Sequence, residues 1–326
     1  MKCVYRIKTM YHLLLVLLIL DSSKENILYI EARDLFYIKK TLLDLGFFSK
    51  IVLQNRHEEI KINRILKTIT NAFFYQIFNA FFKKDRIIYC SQHNIRGSFF
   101  IELLHAKHIV LLEDGFSSYE QVNDGIKNSL YRENHNIFFF KIPLNGYFLN
   151  IKNRNILRFI YTSPERLRRE VPNAFTLIES KITKVSITAA LQAVSSDYKD
   201  KLKSLFFDNK KIDFKDRKSI VILTQPLVED AKVTQIELLN VIAMFDDALA
   251  SFENKGYSIL IKQHPRENNS SYKELINKYC IQELEKDFPF EILSLFDVKF
   301  DVGITYYSTA VESEIFRKKI MLRKNN

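Results

Sequence analysis

Three short segments place acids, a histidine or paired hydroxyls directly after an apolar run. In the first, His108–Gly115, the apolar stretch ends in Glu113 and Asp114, and Gly115 permits a tight turn that exposes both carboxylates. One of them can serve as a general base or bind a substrate hydroxyl. Asp-Gly is equally ordinary turn chemistry, and the segment alone does not separate the two. In the second, Ile259–Arg266, an apolar run delivers His264 between Lys262 and Arg266, with Pro265 restricting its backbone. An imidazole held there can donate a proton or a hydrogen bond to a departing phosphate. Basic neighbours would lower its pKa, and a bound phosphate would raise it. A loop histidine with no such task would look the same. In the third, Asp301–Ala310, Ser308 and Thr309 fall at the start of an expected helix. Hydroxyls and free N–H groups at a helix start suit a phosphate, and they also suit plain N-capping. Glu312, one turn further, can reach a ribose or counter the helix dipole. A fourth segment, Thr224–Asp230, stops a strand at Pro226 and sets Asp230 ahead of a long helix, as a second acid or as a cap.

Each segment needs a strand to deliver it, because ligands of open α/β sheets gather at the carboxyl ends of strands. The apolar pattern supplies those strands. Cys3–Ile7, Ile27–Glu31, Ser49–Leu53, Arg86–Cys90 and His108–Leu112 read as strands, with helices over 12–20, 35–45, 60–82 and 98–105 between them. Asn136–Ile142 and Arg158–Tyr161 are further strands, and 178–207 is mostly helical. The charged stretch 208–218 is the linker candidate. Beyond it strands Ser219–Leu223, Ser258–Lys262 and Val298–Ile304 alternate with helices over 235–254, 272–285 and 308–316, and Ile320–Arg323 is a candidate last strand. The alternation argues for doubly wound parallel sheets. At 326 residues two domains are expected, 1–212 and 213–326, with an active site in the cleft between them.

Composition narrows the partners. A net charge of +11 favours anionic surroundings such as an acidic glycan or anionic lipid, or is simply a solubilising surface. There is no zinc-finger spacing and no dense Arg/Lys block interleaved with aromatics, so nucleic acid is not the expected partner. Cys3, Cys90 and Cys280 are odd in number and far apart, which fits a reduced, cytoplasmic setting. The apolar run Leu13–Leu20 falls short of the roughly 20 residues needed to span a bilayer and has no small-residue cleavage site. It is expected to be a buried helix. Asp246 and Asp247 lie inside a helical run and read as a solvated face rather than a metal site.

Taken in order, Glu113-Asp114-Gly115, His264-Pro265 and Ser308-Thr309 resemble the bacterial sialyltransferases of glycosyltransferase family 52. The opening Tyr11-His12-Leu13-Leu14 and the turn Thr224-Gln225-Pro226-Leu227 are also similar to that family, whereas 119–214 carries no matching motif. The resemblance implies a GT-B type α/β fold, two Rossmann-like domains facing a central cleft. The first would serve the acceptor and the second the nucleotide sugar. It implies inverting, metal-independent transfer of sialic acid from CMP-N-acetylneuraminate to a terminal sugar, taken as galactose, of a lipooligosaccharide or capsular glycan, with no cofactor. Carried over, His264 assists departure of the CMP phosphate. Ser308 and Thr309 bind it, and Glu113, Gly115, Lys262, Pro265, Arg266 and Glu312 line the donor site. Asp230 is placed ahead of Asp114 as the base. Two departures stand out: Ala231 occupies the place of an expected glycine, and Glu312 is followed by Ser313 rather than by a second helical acid. The implied partners are a nucleotide-sugar donor and a glycan or glycolipid acceptor, with peripheral attachment to the anionic inner membrane and room for a homodimer. The rival readings are a family-related transferase using another nucleotide sugar, such as a glucosyl donor, and a non-catalytic basic scaffold at the membrane.

Overall fold

The computed structural model describes residues 1–31, 33–54, 84–91, 106–114, 156–207, 218–268 and 270–323. The helices expected over 60–82 and 98–105, the strand Asn136–Ile142, Gly115 and nearly all of the linker candidate lie outside the described residues. The chain divides into two compact units, Met1–Ser186 and Ile187–Asn326.

The first unit begins with β1 (Lys2–Ile7) and α1 (Met10–Ile19). Thr9 caps α1, its Oγ1 accepting the His12 N–H at 3.1 Å. His12 to Leu17 are all buried, as expected of a helix apolar on every side. Among the described residues no helix is long and apolar enough to cross a membrane. There follow β2 (Glu25–Ile30), a 3₁₀ turn (Arg33–Ile38), α2 (Lys39–Asp44) and β3 (Lys50–Leu53). Gly46, at φ +72, takes the left-handed conformation that closes α2. β4 (Lys84–Ser91), β5 (Ala106–Leu112) and β6 (Ile156–Tyr161) come next, then α3 (Pro164–Glu170), α4 (Pro172–Ile178) and β7 (Ile182–Lys184). The seven strands stand in the order β3-β2-β1-β4-β5-β6-β7, every pairing parallel. This is the doubly wound order, with its switch point between β1 and β4.

The second unit opens with α5 (Ile187–Ala193) and α6 (Ser196–Phe207). These helices pack within the second unit: Thr188 Oγ1 is 3.2 Å from Ser294 Oγ, and the Phe207 ring lies against Phe288 and Phe296. The division therefore falls at 186/187, where the sequence placed it at 212/213 and assigned both helices to the first half. Then come β8 (Ser219–Leu223), α7 (Gln235–Ala250), β9 (Ser258–Lys262), α8 (Lys273–Tyr279), β10 (Gln282–Leu284), β11 (Phe300–Thr305) and β12 (Phe316–Met321). They pair in parallel in the order β10-β9-β8-β11-β12, with the switch point between β8 and β11. The sequence reading of two parallel α/β halves is borne out.

Several elements differ from expectation. The helix expected over 272–285 stops at Tyr279, because Cys280 turns left-handed (φ 49) and releases the chain into β10. The helix expected over 308–316 is a single 3₁₀ turn, Thr309–Glu312, and β12 starts at Phe316 rather than Ile320. Phe316 explains this. Its ring stacks on Phe290 at 5.1 Å and fills the space over Gly303, where a Cβ would stand 2.8 Å from that ring. Asp246 is not merely solvated: it accepts from Lys278 Nζ and from Tyr279 Oη at 2.6 Å each, tying α7 to α8.

Candidate functional site

At the carboxyl edge of the first sheet the chemistry is acidic. β5 ends in Glu113 and Asp114, and their side chains part company. Glu113, 1% exposed, turns inward and accepts from the Thr162 N–H (2.5 Å) and Thr162 Oγ1 (2.9 Å), fastening the end of β5 to the end of β6. Asp114 instead meets His12. The Oδ1 of Asp114 and the Nε2 of His12 are 2.8 Å apart, with His12 fully buried and Asp114 14% exposed. His12 Nδ1 accepts the Lys8 N–H at 3.3 Å, so the ring proton resides on Nε2, which lies against the carboxylate but is not aligned for a hydrogen bond to it. Because β4 lies between β1 and β5, this contact reaches over the end of β4, beside the switch point. Near it, Arg6 and Glu31 form a buried ion pair on β1 and the end of β2, and Lys8 Nζ stands 3.8 Å from the same carboxylate.

At the carboxyl edge of the second sheet the chemistry is basic and hydroxylic. His264 follows β9 and heads a turn organised by one buried carboxylate, Glu267. Glu267 accepts from the His264 N–H (2.6 Å), from Tyr272 Oη (3.2 Å) and from Thr224 Oγ1 at the end of β8. Hydrogen bonds to a charged group are worth about 1.5–3 kcal/mol each, so this clamp fixes where β8 and β9 release their loops. Burial raises the Glu267 carboxyl above its usual range, and the three donors work against that rise. His264 Nδ1 accepts the Arg266 N–H at 3.2 Å, which puts the ring proton on Nε2. Burial, then Arg266 and Lys262, lower the imidazole to about 4, so it is neutral at pH 7.

Ser308 and Thr309 follow β11, on the same edge and on the other side of β8. Thr305 Oγ1 donates to the Leu223 carbonyl (2.7 Å) and accepts the Ser308 N–H (3.0 Å), which fixes Ser308 beside β8. Ser308 Oγ accepts the Ala310 N–H at 3.3 Å, leaving its hydroxyl hydrogen to donate. The structure thus brings His264, Ser308 and Thr309 to one edge. Glu312 follows in the 3₁₀ turn, where its carbonyl accepts from Lys319 Nζ at 2.6 Å. Pro265 and Arg266 are exposed. Lys262 is turned elsewhere: its Nζ donates to the Lys286 carbonyl at 2.7 Å over the Phe288 ring, and burial brings it down to about 8.

Asp230 lies in the 227–231 turn, and the Arg266 guanidinium engages both of its oxygens. Ala231 has φ 53, the left-handed region that favours glycine, so the departure noted in the sequence falls where a glycine would fit without strain. Gly115 lies outside the described residues. Sequence reasoning missed His12 and Glu267 as members of these edges. Tyr11-His12 was matched only as an opening motif, and Glu267 sits three residues after His264 with nothing in its type to mark it. Among the described residues no group of three or more His, Cys, Asp or Glu is placed to hold a metal ion.

Comparison with known proteins extends this picture. A family model described as alpha-2,8-polysialyltransferase matches residues 35–311. An uncharacterized protein of Haemophilus influenzae is 25% identical over 303 residues, covering 92% of this chain and 87% of that one. The GT-B domain of a sialyltransferase from Photobacterium damselae superposes with a TM-score of 0.55 at 12% identity, over 95% of this chain and 87% of that one. An alpha/beta-galactoside alpha-2,3-sialyltransferase from Photobacterium phosphoreum gives 0.56 at 12% identity, over 98% and 89%. A UDP-GlcNAc 2-epimerase from Neisseria meningitidis gives 0.51 at 13% identity, over 100% and 84%. Likeness at such identities speaks for the fold, which is of the GT-B type.

Proposed function

The chain belongs to the alpha-2,8-polysialyltransferase family, and from that premise we propose that it moves sialic acid from CMP-N-acetylneuraminate onto a bacterial surface glycan, with inversion and without a metal. That it is a sialyltransferase-like glycosyltransferase follows from the family and fold. The donor, the acceptor and the mechanism are the proposal.

The observation that carries it is the second edge: a neutral imidazole and two hydroxyl-bearing residues flank one strand end, set there by Glu267 and Thr305. Such a set is suited to a leaving phosphate. Arrival of the anionic donor raises the His264 pKa, so His264 gains a proton as the donor binds and gives it to the phosphate as the glycosidic bond breaks. Ser308 and Thr309 hold that phosphate by hydrogen bonds. On the acceptor side the base takes the proton of the attacking hydroxyl as its oxygen bonds to the anomeric carbon. We assign this role to Asp114 rather than Asp230, because the Arg266 fork occupies both oxygens of Asp230.

The acceptor we propose is a terminal galactose of a lipooligosaccharide or capsular glycan. The description of the family favours a second acceptor, a terminal sialic acid joined α-2,8. Buried, unpaired Cys3 and Cys90 support action on the cytoplasmic side, and the +11 charge supports peripheral contact with anionic lipid there.

Incubation with CMP-N-acetylneuraminate and a panel of galactosides and sialyl-galactosides, with and without EDTA, tests the reading. CMP release coupled to sialylated product, unchanged by EDTA, is expected. Turnover of a UDP-sugar in place of the CMP donor, or activity abolished by EDTA and restored by a divalent ion, would contradict it.

A further inference from the structure

The proposed mechanism makes no use of His12, yet His12 is the side chain brought to within 2.8 Å of Asp114, from a different element. Its ring is fully buried, so its orientation is set by packing rather than by solvent. The two ring nitrogens have separate tasks. Nδ1 accepts the Lys8 N–H and helps set the start of α1, together with the Thr9 hydroxyl that accepts the His12 N–H. Nε2, which then carries the proton, lies 2.8 Å from the Asp114 carboxylate without being aligned for a hydrogen bond to it, and is otherwise a buried nitrogen with no hydrogen-bond partner. A buried imidazole whose one nitrogen is fixed to the backbone and whose other, unpartnered nitrogen lies in contact with a carboxylate needs only a small rotation of either group to donate to it, and so to hold that carboxylate in one orientation. The alternative, a core histidine serving α1 alone, needs only the Nδ1 contact and leaves the approach to Asp114 without a reason.

We propose that His12 is a positioning residue for the transfer reaction: through Nε2 it fixes the Asp114 carboxylate in the orientation that accepts the acceptor-hydroxyl proton. This rests on the reading of Asp114 as the base. His12 itself exchanges no proton with substrate, so its removal costs orientation rather than the base. Misplacement of a reacting group by about 1 Å costs on the order of 10²-fold in rate.

Two amides separate the tasks of the ring. In His12→Asn the short amide oxygen stands near the place of Nδ1, able to accept the Lys8 N–H but too short to reach Asp114. In His12→Gln the amide nitrogen stands near the place of Nε2 and can donate to Asp114. With CMP-N-acetylneuraminate and the best acceptor of the panel, His12→Asn is expected to lower kcat about 10²-fold, with donor KM and melting temperature near wild type. His12→Gln is expected to recover kcat to within about tenfold of wild type. Equal kcat losses in the two variants, or a wild-type kcat in His12→Asn, would overturn the proposal. Asp114→Asn keeps the two failures apart. If it turns over at the wild-type rate, the base assignment falls and the positioning role falls with it. If it is inactive while His12→Asn is not impaired, only the positioning role falls. A readout independent of transfer is the ¹⁵N spectrum of the His12 ring. An Nε2-protonated tautomer whose resonances move in Asp114→Asn is expected, and an Nδ1-protonated ring, or one indifferent to that change, would contradict the arrangement.

Discussion

The two units share one strand order over five strands, which the first extends by two more, yet the carboxyl edges of their sheets carry opposite chemistry. The first edge gathers Glu31, Glu113 and Asp114, each with its own partner: Arg6, Thr162 and His12. The second presents a neutral His264, the Arg266 guanidinium and two hydroxyl-bearing residues, with the buried acid Glu267 spent on shaping the loop. The topology sets where loops emerge. On the proposed reading, the residues at those points make the first unit the one that takes up a proton and the second the one that receives a phosphate. Acids sit on both edges, so what separates them is engagement. Asp114 lies in contact with a buried imidazole nitrogen, while Asp230 is gripped at both oxygens by a guanidinium.

The largest effect that would break this contrast comes from the two acids. Asp114→Asn should lower kcat by about 10²–10⁴-fold, while Asp230→Asn should stay within about tenfold of wild type; steady-state kinetics on both decides, and the reverse ranking would move the base to the second unit. Next comes the Glu267 clamp. Glu267→Ala removes the carboxylate that receives Thr224, His264 and Tyr272, and should destabilise the protein by about 1–3 kcal/mol in urea titration as well as slow turnover.

Subtler is proton linkage. Burial, then Arg266 and Lys262, hold the free His264 imidazole down at about 4, and bound anionic donor raises its pKa. CMP binding should therefore take up protons, increasingly as pH falls from 7 towards 5. Calorimetry in buffers of different ionisation enthalpy should register the uptake in wild type and not in His264→Ala. The smallest effect concerns Ala231. Relieving its left-handed conformation with Ala231→Gly should stabilise the fold by less than about 1 kcal/mol in thermal melts, without altering turnover.

Much of the scaffold was legible because short apolar runs alternating with helical periodicity admit few arrangements other than parallel sheets. Residues that leave the ends of strands were legible for the same reason, and so His264, Ser308 and Asp114 were placed at sheet edges correctly. The direction in which a side chain turns is not written in its spacing. Glu113 and Asp114 are neighbours, yet one is buried against Thr162 and the other meets His12, from a helix about a hundred residues earlier. Lys262 looked like a phosphate ligand, but the alternation of the strand carries it to the Lys286 carbonyl. The helices α3 and α4 went unread, although each starts with a proline at its first position. The truncated helix after Ser308 reflects a tertiary demand, the seating of Phe316 over Gly303, that local propensity does not contain.

The central claim is that His264 protonates a departing CMP. The most direct measurement is the single-turnover rate of CMP release from CMP-N-acetylneuraminate in the presence of acceptor, for wild type and His264→Ala. A fall of at least about 10²-fold with CMP affinity largely retained is the predicted result. Release by His264→Ala at the native rate would contradict it.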